Sequence, residues 1–296
     1  MATKGSVFLI GPGFIGLQIL RELLAEGYRV TTLVRREEAK ASLEKLGSNT
    51  ILGSLDNSDV IRTAAAAADI VIHTATADHL PSVASVLDGI AERADAGKST
   101  IYIHTSGCSA ITDRLNGNHA SDTVYQDDKP ETIDSIADDA PHRIIDLAIL
   151  KSRGELGAKA KISIILPPII YGLGQDSRLS IQIPTMTEFA IKHSYAGYIG
   201  GGKAVWGYLA ILHYMESTSG DKVLENPYFF IENGEECSWE NLAVIGENAR
   251  NRANRLRALG WKPQEKSAFD SLLTDELPII LAEKSEFRGY SAPVAS

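Results

Sequence analysis

Three glycines near the start of the chain have the spacing of a phosphate-binding turn. Gly11, Gly13 and Gly16 directly follow the apolar run 7–10, and a pattern typical of an amphipathic helix comes after them. The first glycine allows a sharp turn out of a strand, the second lets a pyrophosphate approach the backbone, and the third allows close packing of the helix. The spacing predicts a dinucleotide-binding turn, and Gly27 is placed to close the helix that follows in a left-handed conformation. The alternative is a glycine-rich turn that binds nothing.

Two arginines lie where the second strand of such a fold ends. Arg35 and Arg36 follow the β-branched run 30–34. An acidic residue at this point accepts hydrogen bonds from ribose hydroxyls, whereas an arginine binds a 2′-phosphate. The pair therefore favours NADP(H) over NAD(H). The alternative is a pair of exposed arginines whose charge is balanced by Glu37 and Glu38.

The turns after the third and fourth predicted strands supply further groups for a nucleotide. Asp56, which follows Leu55, can accept a hydrogen bond from an adenine amino group. Thr74 and Ala75 have small side chains, so the backbone at this position can lie along a cofactor. We therefore expect both turns to contact a bound dinucleotide.

The apolar pattern predicts alternating strands and helices. Short β-branched runs with little polar alternation are typical of parallel strands buried on both faces. The predicted strands are 7–10, 30–34, 50–52, 70–73, 101–104, 162–166 and 228–231, and the predicted helices include 37–46, 59–67, 82–94, 142–156 and 184–193. This order predicts an α/β fold with a Rossmann-like, doubly wound parallel sheet. We expect a dinucleotide-binding domain over residues 1–170 and a smaller C-terminal substrate lobe over 171–296, interleaved with the last strands of the sheet.

Composition and charge restrict the possible partners. With 296 residues, 44% of them hydrophobic, and a net charge of −9, the chain is ordinary for a globular enzyme and unsuited to nucleic acid or an anionic membrane. One amphipathic helix with a solvated face would explain the basic cluster Arg250, Arg252, Arg255 and Arg257. Cys108 and Cys237 have neither a disulfide pattern nor a metal-ligand spacing, so we expect no metal site. No signal segment or bilayer-spanning run is evident, which predicts a cytoplasmic protein.

The chain resembles the extended short-chain dehydrogenase/reductase superfamily, in the branch that contains NAD-dependent epimerases/dehydratases and dihydroflavonol-reductase-like enzymes. The resemblance covers nearly the whole chain and rests on GPGFIG at 11–16, GSLD at 53–56, HTSG at 104–107, LPPIIYG at 166–172 and GWKP at 260–263. It implies a small hydroxyl or carbonyl substrate, hydride transfer by the cofactor, and a homodimer, which is common in the superfamily. It also adds Pro167 and Ile169 to the residues expected at the cofactor.

The family would place a catalytic Ser or Thr after the fifth strand and a Tyr-x-x-x-Lys pair on the next long helix. Ser106 and Ser109 are available for the first role, although the commonest alignment places the hydroxyl at Gly107. One literal match to the pair runs from Tyr125 to Lys129, but the proline that follows disfavours helical geometry there. That segment is better interpreted as an acidic surface loop.

A better positional match is the helix that we expect to begin near Pro141, after a capping carboxylate. His142 and Asp146 then occupy the positions of the family's Tyr and Lys. Because they are four residues apart, we expect them to share a helix face, where the histidine acts as acid or base and the aspartate fixes its tautomer. The alternative is a surface pair on a helix that has lost its chemistry.

The sequence thus predicts a catalytic set of Ser106, His142 and Asp146. The residues predicted to bind the cofactor are Gly11, Gly13, Phe14, Ile15, Gly16, Arg35, Arg36, Leu55, Asp56, Thr74, Ala75, Pro167 and Ile169. Three functions fit this pattern: an NADP(H)-dependent oxidoreductase or epimerase, a non-catalytic NADP(H)-binding sensor or scaffold, and a lyase or isomerase with a structural cofactor. Fold alone does not choose among them.

Overall fold

A parallel sheet of seven strands organises the chain in the computed structural model. The structure describes residues 4–112, 122–174, 178–182, 184–185, 187–188, 205–232, 249, 251–262 and 266–282. The strands are β1 (Ser6–Ile10), β2 (Arg29–Val34), β3 (Asn49–Leu52), β4 (Ile70–His73), β5 (Thr100–Thr105), β6 (Tyr125–Gln126), β7 (Ala160–Leu166), β8 (Tyr228–Phe230) and β9 (Asn251–Arg252). The large sheet has the order β3-β2-β1-β4-β5-β7-β8, and β6 pairs with β9.

Helices connect the strands of the sheet. They are α1 (Phe14–Ala25), α2 (Glu37–Lys45), α3 (Ser58–Ala67), α4 (Leu80–Asp95), α5 (Pro130–Asp134), α6 (Arg143–Leu156), α7 (Val205–Ser217), α8 (Gly220–Leu224), α9 (Asn254–Ala258), α10 (Ala268–Ser271) and α11 (Leu277–Ala282). Short 3₁₀ turns lie at Cys108–Ile111 and Gly157–Lys159, and a π-helical turn lies at Leu272–Glu276.

The strands are buried because helices cover both faces of a parallel sheet. All four residues of β4 are buried, as are the last four of β1 and the last five of β7. Such strands need apolar, β-branched residues on both faces, which is the pattern that made them recognisable in the sequence. The fold of alternating strands and helices around a doubly wound sheet is confirmed.

Helix α1 ends at a left-handed glycine, as predicted. Gly27 has φ +88°, a conformation that favours glycine, and its N–H donates to the carbonyl of Leu24 at 3.0 Å. The N–H of Tyr28 donates to the carbonyl of Leu23, also at 3.0 Å. This closure returns the chain directly into β2.

The second half of the chain contributes to the same sheet. Strand β8 pairs in parallel with β7, and helix α7 packs against α1. A separate small apolar cluster forms around Tyr171 and Leu272. The helix predicted at 184–193 lies mostly outside the described residues. Among the described residues, no helix combines the length and apolar character needed to cross a bilayer.

The prediction of one solvated arginine helix is wrong. Arg252 lies in β9 and helix α9 begins only at Asn254, while Arg250 lies outside the described residues. The guanidinium of Arg255 lies 3.9 Å from the ring centroid of Phe229 and donates to the carbonyl of Asn226. Arg255 is therefore packed within the lobe and is not part of a solvated cationic face. The burial also lowers its pKa. The sequence pattern missed this because a buried arginine has the same helical spacing as an exposed one.

Candidate active site

The glycine turn between β1 and α1 has the shape of a phosphate cradle. Gly11 has φ +92°, and a Cβ there would lie 2.4 Å from backbone atoms of Ala75. A Cβ at Gly16 would lie 2.0 Å from the carbonyl oxygen of Gly11. At Gly13, which directly precedes α1, a Cβ would meet no protein atom within 4 Å. The helix N-terminus is therefore accessible to an anion, and the residues fit the pyrophosphate of a dinucleotide.

Arg35 and Arg36 lie in the exposed turn between β2 and α2. Neither guanidinium forms an ion pair with Glu37 or Glu38, and Glu37 instead lies 3.7 Å from Lys40. Both arginines are therefore exposed side chains without a contact ion pair to the neighbouring glutamates. Two accessible cations at the end of β2 are available to a phosphate group.

The remaining predicted cofactor residues line the same carboxyl edge of the sheet. Asp56 is exposed, and its Oδ1 lies 3.2 Å from Nε2 of His79. The hydroxyl of Thr74 donates to the carbonyl of Gly11 at 2.7 Å, which ties the end of β4 to the glycine turn. The carbonyl of Pro167 accepts the N–H of Cys108 at 3.0 Å. The partly buried residues of this set are Phe14, Ile15, Leu55, Thr74, Ala75 and Ile169.

A chain of three hydrogen-bonded side chains crosses the ends of β4 and β5. Ser109 Oγ lies 2.6 Å from Nε2 of His142, and Nδ1 of His142 lies 2.6 Å from Oδ1 of Asp78. Ser109 is exposed, the His142 side chain is 19% exposed and that of Asp78 is 67% exposed. The three residues can therefore exchange protons with one another and with a ligand at the surface.

A second pair lies deeper in the protein. The hydroxyl of Ser106 donates to Oδ2 of Asp146 at 3.1 Å, and both residues are buried. Burial raises the pKa of Asp146 to about 6; the Ser106 hydroxyl and the nearby charges of Arg143 and His142 oppose this shift. Oδ1 of Asp146 has no hydrogen-bond partner among the described residues. This carboxyl can therefore hold a proton near neutral pH.

The predicted arrangement of His142 and Asp146 is wrong in two respects. His142 does not share a helix face with Asp146, because it precedes α6 with φ +65° and caps that helix. Pro141 accordingly lies before the cap and not in the first helical turn. The carboxylate that orients the imidazole is that of Asp78, while Asp146 binds Ser106.

Residues 11–131 match the NAD(P)H-binding family. A 29% identical relative of Schizosaccharomyces pombe, protein C2A9.02, aligns over 68% of this chain and 64% of its own length. The sterol-4-alpha-carboxylate 3-dehydrogenase (decarboxylating) of Dictyostelium discoideum is 25% identical over 73% of this chain and 66% of the relative. Among solved structures, yeast methylglyoxal/isovaleraldehyde reductase Gre2 with NADPH superposes with a TM-score of 0.60 at 16% identity, covering 93% and 98% of the two chains.

The chain carries an NAD(P)H-binding domain, and its fold is that of the solved reductase Gre2. The family resemblance and the cofactor class predicted from the sequence are thereby confirmed. The glycine turn lies within the matched range, as do both arginines and Asp78.

One departure from the dehydrogenase/reductase pattern explains the position of the imidazole. At Gly107, where the family's catalytic hydroxyl most often lies, a Cβ would be 3.1 Å from Nε2 and 3.2 Å from Cδ2 of His142. The missing side chain thus leaves room for His142 to reach Ser109. The glycine at 107, in place of the family's hydroxyl residue, thus provides the space that the histidine at 142 occupies.

Sequence reasoning missed Asp78 entirely. It lies in the exposed loop between β4 and α4, next to His79, and it has no motif spacing to the other site residues. Only the parallel pairing of β4 with β5 brings this loop to the turn that carries Ser109. The one signal in the sequence was that Asp78 is an acidic residue shortly after the end of the predicted strand 70–73.

The literal Tyr-x-x-x-Lys match is not on a helix. Tyr125 lies in the short strand β6, and Lys129 directly precedes α5. The geometry that lets a lysine sit one helical turn from a tyrosine is therefore absent from this segment.

Two buried histidines lie beneath the site. His73 and His104 are paired in register on β4 and β5, and their ring centroids are 5.3 Å apart. Burial lowers the pKa of His73 to about 4 and that of His104 well below the ordinary range. Both rings are neutral near pH 7, so they add no charge to the site.

Proposed function

We propose that this protein is an NADPH-dependent oxidoreductase that interconverts a small carbonyl compound and its alcohol. The observation that carries the proposal is that the Ser109–His142–Asp78 chain lies at the same sheet edge as the glycine turn. In a parallel α/β sheet, ligands bind at the carboxyl ends of the strands. A proton-transfer group and a dinucleotide cradle at one edge are the two components that such a reaction needs.

The chain's own residues would hold the cofactor in three places. The N-terminus of α1 at Gly13 would bind the pyrophosphate, Arg35 and Arg36 would bind the 2′-phosphate, and Asp56 would accept from the adenine. When bound, NADPH supplies the hydride. Pro167 and Ile169, after β7, would lie on the nicotinamide side, as the resemblance implies.

His142 would be the proton-transfer group. A carboxylate only accepts hydrogen bonds, so Asp78 fixes the proton of a neutral imidazole on Nδ1 and leaves Nε2 as the acceptor. Nε2 can then take a proton from a substrate hydroxyl, and the resulting imidazolium can return one to a carbonyl oxygen. Ser109 would hydrogen-bond the same substrate oxygen. The buried hydrogen bond between Ser106 and Asp146 would stabilise the 3₁₀ turn that carries Ser109.

The partners and the division of the chain follow the same proposal. A small-molecule substrate would bind between the dinucleotide domain (1–170) and the C-terminal lobe (171–296). The net charge of −9 supports a protein that does not bind nucleic acid. A homodimer is proposed on the family resemblance, and a cytoplasmic location on the two cysteines far apart in sequence, which fit a reducing compartment.

The deciding experiment is turnover on a panel of aldehydes and ketones, followed by the loss of NADPH absorbance. We expect carbonyl-dependent oxidation of NADPH and a lower rate with NADH at equal concentration. Calorimetric titration with NADPH and NADH in parallel measures binding independently of turnover. If the folded protein binds NADPH but turns over no carbonyl compound, the result would favour the sensor or scaffold function. Absence of NADPH binding would contradict the proposal outright.

A further inference from the structure

The order of groups in the Ser109–His142–Asp78 chain is that of a nucleophile, a base and an orienting acid. A hydroxyl lies on one imidazole nitrogen and a carboxylate on the other, both at 2.6 Å. This constellation occurs on unrelated folds and is recognised by geometry and roles rather than by sequence order. Carbonyl reduction requires a proton donor, but it does not require the donor to bind a serine hydroxyl.

The tautomer makes Ser109 the donor in its hydrogen bond. Because Nδ1 of the neutral imidazole carries the proton that Asp78 accepts, Nε2 has a free lone pair. Ser109 Oγ therefore donates to Nε2 and keeps its own lone pairs for an incoming electrophile. This is the ground-state arrangement of an activated serine.

We propose that Ser109 is the nucleophile of an acyl-transfer activity, separate from the cofactor chemistry, that acts on small carboxylic esters with good leaving groups. Ser109 lies on the 3₁₀ turn Cys108–Ile111 and is exposed, so an ester carbonyl can reach it. The neighbouring Ser106 cannot take this role, because its hydroxyl is buried and donates to Asp146.

The reaction balances without an oxidant or reductant. Ser109 Oγ attacks the ester carbonyl carbon while its proton passes to Nε2 of His142. The carbon–oxygen bond to the leaving group breaks, and His142 returns the proton to the departing oxygen to give the alcohol. Water then attacks the acyl-serine, gives a proton to Nε2, and releases the carboxylic acid as the proton returns to Ser109.

The exposure of Asp78 defines the substrate class. Its side chain is 67% exposed, so solvent screens the stabilisation that it gives to the imidazolium. Triads with a buried acid act on amides and unactivated esters. This triad would need an ester whose leaving group is stable as an anion and needs little protonation by the imidazolium. Aryl esters with a short acyl chain meet this requirement.

The test uses the full chain without any nicotinamide cofactor, so its result is independent of the proposed reductase function. Hydrolysis of p-nitrophenyl acetate is measured for the native protein, for Ser109→Ala and for His142→Ala. Covalent labelling by a fluorophosphonate is located by peptide mass spectrometry. The control is Ser135→Ala, since Ser135 is an exposed serine whose hydroxyl donates to the carbonyl of Thr132. Circular dichroism confirms that each variant is folded.

We expect the label on Ser109, its loss in Ser109→Ala, and unchanged labelling in Ser135→Ala. Hydrolysis falls by about a hundredfold or more in His142→Ala, the effect of losing a general base. Asp78→Asn lowers it by about tenfold, less than for a buried triad acid, because Asp78 is exposed. Labelling elsewhere, or equal hydrolysis by Ser109→Ala and the native protein, overturns the proposal and leaves the three residues as a proton relay for the reductase. If His142→Ala is unfolded, His142→Gln is measured in its place.

Discussion

The proposed cofactor edge and the proposed proton-transfer edge of this protein are built from contacts of very different range along the sequence. At the cofactor edge, Gly11, Gly13 and Gly16 lie within one turn and act through their own backbone. At the proton-transfer edge, Ser109 and His142 are 33 residues apart, and His142 and Asp78 are 64 apart. The first edge keeps a glycine-rich turn, one residue shorter than the superfamily's usual GxxGxxG, whereas the second has no Tyr-x-x-x-Lys pair on its helix. A fold can therefore retain its cofactor while the residues that complete the reaction change around it.

The largest effect that would test this contrast is at the glycine turn. Gly13→Val should leave a folded protein that no longer binds NADPH, because the added side chain meets no protein atom but fills the phosphate cradle. Calorimetry measures the binding and thermal unfolding measures the fold. Gly11→Val is the matched contrast. It should unfold the protein, since its Cβ would lie 2.4 Å from the backbone of Ala75 at φ +92°. Unfolding of Gly13→Val, or binding by it, would show that the glycine serves another purpose.

The next effect is on turnover at the other edge. His142→Ala should lower the turnover number for carbonyl reduction by about a hundredfold or more, the range for losing a general acid. Tyr125→Phe is the control and should change little, because Tyr125 lies in β6 and not on α6. Steady-state kinetics with saturating NADPH measures both. The opposite result would make the literal Tyr-x-x-x-Lys match the functional one.

A smaller effect is expected for the cofactor preference. Replacing both Arg35 and Arg36 with Ala should raise the Kd for NADPH by about 10- to 100-fold, the range for losing charge-assisted hydrogen bonds, and leave the Kd for NADH nearly unchanged. Arg29→Ala is the matched control, because Arg29 is an exposed arginine at the other end of the same strand. Equal weakening of both cofactors would place the arginines outside the 2′-phosphate site.

The smallest effect concerns the buried carboxyl of Asp146. Its pKa is raised by burial from 3.8 to about 6, so the folded state favours its protonated form. The stability that this gives is complete below pH 3.8 and is lost as the pH rises through 6. Asp146→Asn, which keeps an acceptor for Ser106, should therefore gain on the native protein between pH 4 and pH 8, by roughly 1–3 kcal/mol in the free energy of unfolding. Urea unfolding at several pH values measures this difference. Parallel pH profiles would mean that Asp146 is ionised without cost.

Local patterns were sufficient for the elements of the sheet. The apolar run 70–73 predicts β4 (Ile70–His73) without error, and the run 101–104 predicts β5 to within one residue at each end. Gly27 correctly marked the end of α1. These features depend on burial and on backbone conformation, both of which are encoded over a few neighbouring residues.

The proton-transfer site could be predicted only in part. Position along the chain predicts His142 as the proton-transfer residue, which stays a prediction, and its left-handed backbone conformation removes it from the helix on which it was expected. Asp78 could not be predicted, because its hydrogen bond to His142 depends on how two loops meet at the edge of the sheet. The stacking of Arg255 on Phe229 was missed for the same reason, since the contact joins two elements far apart in sequence.

The backbone of His142 has a consequence for how this protein would respond to selection. Among the described residues it is the one non-glycine residue with positive φ, a conformation that costs such residues on the order of 1 kcal/mol or more. A laboratory screen for heat resistance alone would therefore enrich glycine at position 142 and discard the imidazole. Under the proposed function, thermal stability and turnover are opposed at this one position, so a variant that keeps His142 would have to gain its stability elsewhere in the chain.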